Sequence, residues 1–197
     1  MAAPVQRGLT REQGLLERIA AGDEDAFWRL YRAHSGSVYT YLLRALGGDG
    51  EAAENLVQEV FLGAWRGAAS FEGRASARAW LLGIAHHKAG SWLRARHDSV
   101  SLEALGDGGV SIGAPSDAAL DTPESQAMEA WQASQVRHAL NGLTPDHRAV
   151  VELVFYLGLT YAETAEVLGC PVGTVKSRLS WARHHLVRAL RRVDGLD

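Results

Sequence analysis

Within LTYAETAEVLGCPVGTVKSRL, from Leu159 to Leu179, a helix start, a forced stop and a second start follow one another in close succession. Thr160 and Glu163 have capping-box spacing, in which a hydroxyl and a carboxylate three residues apart satisfy each other's backbone donors. Gly169 is the residue type that accepts a left-handed backbone at a helix end without steric cost. Pro171 and Val172 then lead into a long last helix. Ala165 is small where two closely crossing helices must touch, and Val172, Val175 and Leu179 have the spacing to pin the second helix. A short helix, a tight turn and a second helix in that order make a helix-turn-helix.

The rest of the chain is also helical in its period, with no alternating strand pattern, so the expected class is all-α. Thr10 and Gln13 have capping-box spacing ahead of Leu15, Leu16 and Ile19. A helix after Asp23 places Phe27, Leu30, Tyr31, Val38, Leu42 and Leu43 inward, until GGDGE stops it. The next, from Glu51, aligns Leu56, Val57, Val60, Phe61, Ala64 and Trp65. After the loop SFEGRASAR a further helix runs through AWLLGIAHHKAGSWLRAR. Later, Val136, Leu140 and Leu143 close one helix, and Thr144 with Pro145 caps another whose core is Val150, Val151, Val154 and Phe155, ended by Gly158.

Charge divides the chain. The formal net charge is −3, yet from Pro171 to Arg192 there are Lys176, Arg178, Arg183, Arg188, Arg191 and Arg192 and no carboxylate. Between Asp98 and Val136 the pattern inverts: Asp98, Glu103, Asp107, Asp117, Asp121, Glu124 and Glu129 stand without a Lys or Arg, among Gly, Ser, Ala and two prolines. The expectation is two small helical domains, 10–97 and 135–192, joined by a flexible acidic linker, 98–134. Distribution of charge, not its sum, governs nucleic-acid binding.

At about 100° per residue, the last helix puts Val172, Val175, Leu179, Ala182, Leu186 and Leu190 on one stripe and Thr174, Ser177, Trp181, His184, Arg188 and Arg191 on the other, with Lys176 and Arg183 at the boundary. Such a helix fits the major groove, its first turns toward base edges and its later arginines toward phosphates. Trp181 stands on a polar face, so it is not core; contact with DNA or with a partner protein are both open.

In the first block, aromatics alternate with cations: Phe71, Trp80 and Trp92 beside Arg74, Arg78, Lys88, Arg94 and Arg96. Cations track phosphates while an unstacked base regains roughly 1–3 kcal/mol on an aromatic face. Trp80 reads better as core, and the loop Phe71 to Arg78 as the place for a flipped base. His86 and His87 point about 100° apart on a helix and have no carboxylate or imidazole partner a turn away, so no metal or other cofactor is expected. No nucleophile elbow or phosphate loop is present, and the chain is not expected to be an enzyme. Cys170 is the only cysteine, which excludes an internal disulfide and suits a reducing cytoplasm. The start lacks an apolar signal core, and no run has the roughly 20 apolar residues of a membrane span.

Taken together, DAFWRLYRAHSGSVYTYLLR, ENLVQEVFLGAW, FEGRASARAWLLGIAH and LTPDHRAVVELVFYLGLTYAETAEVLGCPVGTVKSRLSWAR resemble successive signatures of bacterial extracytoplasmic-function (ECF) sigma factors. The resemblance implies binding of core RNA polymerase and promoter DNA, with a region 2-like domain melting the −10 element and a region 4-like domain reading the −35 element. It places polymerase docking on Asn55, Gln58, Glu59, Leu62 and Trp65. It places the −10 contacts on Phe71, Arg74, Arg78, His87 and Lys88, and the −35 contacts on Thr174, Lys176, Ser177, Arg178, Ser180, Trp181 and Arg183. It also implies an anti-sigma partner, and a linker that threads toward the polymerase channels. This chain departs from the family pattern at His87, where asparagine is frequent, at Thr164, where isoleucine is usual, and at Trp181, where arginine is frequent. The rival reading is a two-domain helix-turn-helix regulator that binds duplex DNA alone; it calls for a strand-rich first domain, which the helical first block argues against.

Overall fold

The computed structural model describes residues 4–103, 139–140 and 142–193, and the side-chain surroundings of most of these. Among the described residues there is no strand. The helices are α1 (Pro4–Ala20), α2 (Glu24–Ala45), α3 (Gly50–Gly67), a 3₁₀ turn (Ala68–Ser70), α4 (Ala77–Glu103), α5 (Pro145–Val151) running into a π-helical turn (Glu152–Tyr156), α6 (Tyr161–Leu168) and α7 (Val172–Val193).

Local chemistry accounts for most of the boundaries. Asp23 caps α2, its Oδ1 accepting from the Ala26 N–H at 2.9 Å, and Asp49 caps α3 through Ala52 at 3.0 Å. Thr144 caps α5, followed by the expected proline at the first position. Between α2 and α3, Gly47 and Gly48 take positive φ values of 70° and 91°. The Thr10 cap is not used. The first helix already begins at Pro4, a residue whose locked φ suits a first helical position, and passes through Thr10. Gln13 instead donates to the Gly73 carbonyl at 3.5 Å. At the other end of the first block, α4 continues to Glu103, beyond the point where the acidic segment begins, because no Gly or Pro stands between Asp98 and Gly106. Val136 and the rest of the acidic segment lie outside the described residues.

The first core gathers Leu30, Val38, Tyr41 and Leu42 from α2, Val60, Phe61 and Ala64 from α3, and Leu81, Leu82 and Ala85 from α4. Phe27 and Trp65 are half-buried at its edge, their rings meeting edge to face at 5.3 Å. The second core is smaller, with Leu143, Val150, Val151, Ala165, Val175, Leu179 and Ala182. Val172 stays exposed, standing at the first position of α7 before the helix has turned toward its partner.

Phe155 is 73% exposed rather than core. The reason is the π turn: the Leu157 N–H reaches back five residues to the Glu152 carbonyl at 3.0 Å, which widens the helix and shifts its inward face. Leu153 and Leu157 are buried instead, and so is Glu152, which is 6% exposed.

That shift matters because Leu153, Leu157, Leu159 and Val167 are buried in the first core, not the second. The two blocks are thus packed together as well as tethered. Each of these side chains contributes roughly 1.5–3 kcal/mol of gross burial free energy. Backbones come close where α4 meets α6: a Cβ on Gly83 would lie 3.8 Å from the Val167 Cα. Polar links flank the seam. The Ser76 hydroxyl donates to Glu163 at 2.8 Å, and the Arg44 guanidinium lies 3.6 Å from the centre of the Tyr156 ring.

Burial pushes the Glu152 carboxyl up to about 7, with Arg44 and Arg148 pulling it back only in part. In the unfolded chain it titrates near 4.5. Between those values the folded protein holds a proton that the unfolded chain has released, so stability falls as pH rises through that window. Replacing Glu152→Gln should flatten this fall and raise stability at about pH 8 by roughly 1–3 kcal/mol, read by thermal unfolding of both proteins across the window.

Candidate nucleic-acid interfaces

The helix-turn-helix is built as its residue order requires. Thr160 and Glu163 close both halves of the capping box, the Glu163 N–H donating to Thr160 Oγ1 at 3.2 Å and the Thr160 N–H to Glu163 Oε2 at 3.0 Å. Gly169 ends α6 at φ 59°. Thr164 is fully buried, and its hydroxyl donates to the Thr160 carbonyl one turn back at 2.9 Å. That bond satisfies the polar atom where the family pattern has isoleucine.

The turn orients α7. Val175, Leu179 and Ala182 face the second core, leaving Lys176, Ser177, Ser180, Trp181, Arg183, His184 and Arg188 exposed on the outer face. Two expected DNA contacts differ from this set. Thr174 is half-buried, accepting a hydrogen bond at its carbonyl from the Ser177 hydroxyl, and Arg178 is half-buried and paired with Asp146 of α5.

Trp181 stands between two imidazoles. His147 of α5 stacks on it at 4.1 Å with 27° between planes, and His185 lies at 5.2 Å and 14°. Thr144 Oγ1 lies 2.6 Å from His147 Nδ1, so the helix cap also positions that ring. Neither histidine stood out in the sequence. His185 could have been found by its four-residue spacing from Trp181, whereas His147 lies on another helix and left no local signal.

In the first block, the loop after the 3₁₀ turn and the start of α4 border an open cavity of about 300 Å³. Phe71, Arg74, Trp80, Ile84 and His87 line it, together with Glu166 and Val167 of α6. Phe71 and Trp80 meet at 5.3 Å, forming an aromatic wall, so Trp80 serves core and cavity at once. Arg74 is exposed and paired with Glu72. Arg78 does not line the cavity; it is half-buried on the side facing Glu163. Against the pull of its burial, Glu163 is held below the usual carboxylate range by the Thr160 N–H, the Ser76 and Thr160 hydroxyls and the Arg78 charge. Lys88 also lies outside the cavity, donating to Glu59 of α3 at 2.7 Å.

His86 turns inward. Its Nδ1 lies 2.7 Å from the Tyr41 hydroxyl, and burial together with the neighbouring His87 holds its imidazole below the ordinary range. Committed to Tyr41, it is a half-buried structural histidine. No group of three or more His, Cys, Asp or Glu among the described residues is arranged to hold a metal.

On α3, Asn55, Gln58, Glu59 and Leu62 follow at i, i+3, i+4 and i+7 and share one exposed face. They line an open groove of about 650 Å³ with Trp92. Trp65 does not reach it, being held against Phe27 at the edge of the core.

These features define an all-helical protein of two packed blocks, the second a helix-turn-helix. The models for Sigma-70 region 2 and Sigma-70 region 4 match residues 30–98 and 133–186. The ECF RNA polymerase sigma factor SigK of Mycobacterium ulcerans is 34% identical over 84% of this chain and 86% of its own length. The SigK of Mycobacterium tuberculosis strain H37Rv is 34% identical over 89% and 91%. Among solved structures, the sigma factor RpoE of Bartonella quintana, in complex with the anti-sigma factor NepR, is similar with a TM-score of 0.66 at 28% identity, over 84% of this chain and 96% of that one. CnrH, in complex with the cytosolic domain of CnrY, shares the fold with a TM-score of 0.62 at 24% identity, over 92% and 97%. The chain belongs to the ECF RNA polymerase sigma factor family.

Because Gly169 sits at positive φ, a Cβ there is strained, and Gly169→Ala should cost about 1–2 kcal/mol. Chemical denaturation should show the loss as a lower midpoint with an unchanged slope.

Proposed function

We propose that this sigma factor divides its work between its two blocks. Core RNA polymerase is bound and directed to promoters whose −35 element is read as duplex and whose −10 element is melted. The observation that carries the duplex half is the exposed, carboxylate-free outer face of α7, with Lys176, Ser177, Ser180, Trp181 and Arg183 side by side. In that reading Ser177 and Ser180 face base edges, while Lys176 and Arg183 contact phosphates. Trp181, steadied by His147 and His185, presents a flat aromatic edge where the family frequently has a cation. Thr174 and Arg178 act from behind this face, Arg178 through its link to Asp146.

For the −10 element, the cavity beside Phe71 takes an unstacked base against an aromatic wall, with His87 at its rim and Arg74 toward the backbone. Arg78 and Lys88 join once their carboxylate partners are released. Capture of a base that has already left the stack pulls the opening equilibrium forward without a chemical energy source. Asn55, Gln58, Glu59 and Leu62 dock on polymerase, with Trp65 bracing the helix that carries them. Holding both blocks on one partner multiplies affinity for a two-part promoter without new contacts.

The domain limits 10–97 and 135–192, with 98–134 as the connecting segment, are part of this proposal. So are an anti-sigma partner, which RpoE of Bartonella quintana has in its solved complex, a non-enzymatic role and a cytoplasmic location. Among the described residues no helix is long and apolar enough to cross a membrane.

Transcription in vitro with core polymerase, on fragmented genomic DNA with starts mapped, should yield starts that share two upstream motifs. The Lys176→Ala, Arg183→Ala double variant should lose −35-dependent starts and lower the salt slope of duplex binding by about 2, while still co-purifying with core polymerase. Loss of polymerase binding in step with DNA binding would contradict this division. Leu62→Glu should show the opposite pattern, with polymerase binding lost and duplex binding retained.

A further inference from the structure

We infer that Trp181 is a specificity-determining residue that reads a thymine methyl group in the −35 duplex, and that His147 and His185 are the positioning residues that hold its indole. The inference deepens the proposed duplex reading by the outer face of α7 and rests on it. Trp181 is 46% exposed on that face. Ser177 and Ser180, its neighbours toward the start of the helix, are short, so the indole stands out beyond them. The Ser177 hydroxyl is moreover turned back onto the Thr174 carbonyl at 3.0 Å, which commits its donor within the helix.

Separate segments of the chain converge on this one surface ring. His147 of α5 stacks on it at 4.1 Å, and Thr144 Oγ1 lies 2.6 Å from the Nδ1 of that imidazole. His185, one turn further along α7, lies nearly parallel to the indole at 5.2 Å. Its place depends on the turn before α5, where a Cβ on Gly142 would lie only 2.9 Å from His185 Nε2. Both imidazoles are half-buried. A free surface indole loses rotamer freedom when it binds; here packing has removed that freedom beforehand.

The chemistry of the ring selects what it can read. Bases in a duplex are stacked on one another and offer a side chain in the major groove only their edges. The indole, standing between two imidazoles, likewise offers its rim. That rim carries a single polar atom, the Nε1–H, which donates and cannot accept. It therefore cannot form the bidentate pairs by which arginine selects guanine or asparagine selects adenine, and it has nothing to accept the cytosine amino group. The remaining rim is C–H, and the apolar group on a major-groove edge is the thymine C5-methyl. Lys176 and Arg183, exposed on the same helix, supply the phosphate contacts that set the register.

The test uses the full chain with core polymerase and a promoter recovered by the genomic transcription assay. In its −35 duplex each thymine, on either strand, is replaced in turn by uracil, which removes the methyl group alone. Binding is compared at one salt concentration. At the position facing Trp181, uracil should weaken binding about fourfold, the worth of one methyl group kept from water. Trp181→Ala should bind the thymine and uracil duplexes alike. His147→Ala, which removes one imidazole, and Gly142→Ala, which displaces the other, should each shrink the uracil penalty. If they instead weaken both duplexes equally and leave the penalty intact, the positioning role is overturned. An undiminished penalty in Trp181→Ala, or no penalty at any position, would overturn the thymine assignment. The Lys176→Ala, Arg183→Ala variant separates this from the underlying reading: if it keeps −35 duplex binding, the outer face of α7 is not the reader. If it loses that binding while uracil changes nothing, only the thymine assignment fails.

Discussion

The contact between α4 and α6 is the constraint on which the rest of the arrangement depends. Glycine at position 83 lets the two helices approach almost backbone to backbone, and Val167 fills the space that results. With that contact made, Leu153, Leu157 and Leu159 fall into the core of the first block, and the cavity beside Phe71 gains its far wall. A Cβ at position 83 would sit at ordinary contact distance from Val167, so only a side chain larger than alanine's would press the helices apart at that wall. The polar links to Glu163 and Tyr156 act at the margins of this apolar seam; exposed pairs of that kind contribute little by themselves.

The π turn makes the seam possible. An ordinary helix through ELVFY would carry Phe155 inward beside Val151, in the position its spacing suggests. Widening by one residue brings Glu152 and Leu153 to the seam and leaves Phe155 outside. The cost falls on Glu152, whose carboxyl is buried near Tyr41, Arg44 and Arg148 and protonates well above its usual range. A buried acid of this kind makes the packing of the two blocks sensitive to pH. Seams between domains are normally more polar and looser than cores, whereas this one is continuous with the core of the first block.

Trp181 shows how far a face-by-face reading goes. Its place on the outer face of α7 followed from the helix period alone. Its two imidazole neighbours did not, because His147 comes from a helix separated from it by a turn and another helix. Arg178 is similar. The period puts it close to the outward face, but Asp146 draws its guanidinium back toward α5. Lys88 and Glu59, assigned to different surfaces on resemblance, turn out to be partners across α3 and α4. Pairings of this kind depend on where distant segments meet, so linear spacing carries no trace of them.

The amino-acid sequence by itself determined the all-helical class, the helix starts after Asp23, at Thr144 and at Thr160, the left-handed stop at Gly169 and the family. All of these rest on interactions within a turn or two of helix, or on residue order, and both are written along the chain. It also determined which face of α3 and which face of α7 look outward, since burial follows the 3.6-residue period. Tertiary structure alone decided that the two blocks pack together, that the π turn exposes Phe155 and buries Glu152, and that Glu166 and Val167 of α6 form one wall of the cavity beside Phe71. Those outcomes depend on contacts between segments far apart in sequence. There, shape and desolvation across the α4–α6 seam outweigh the preference of any single residue.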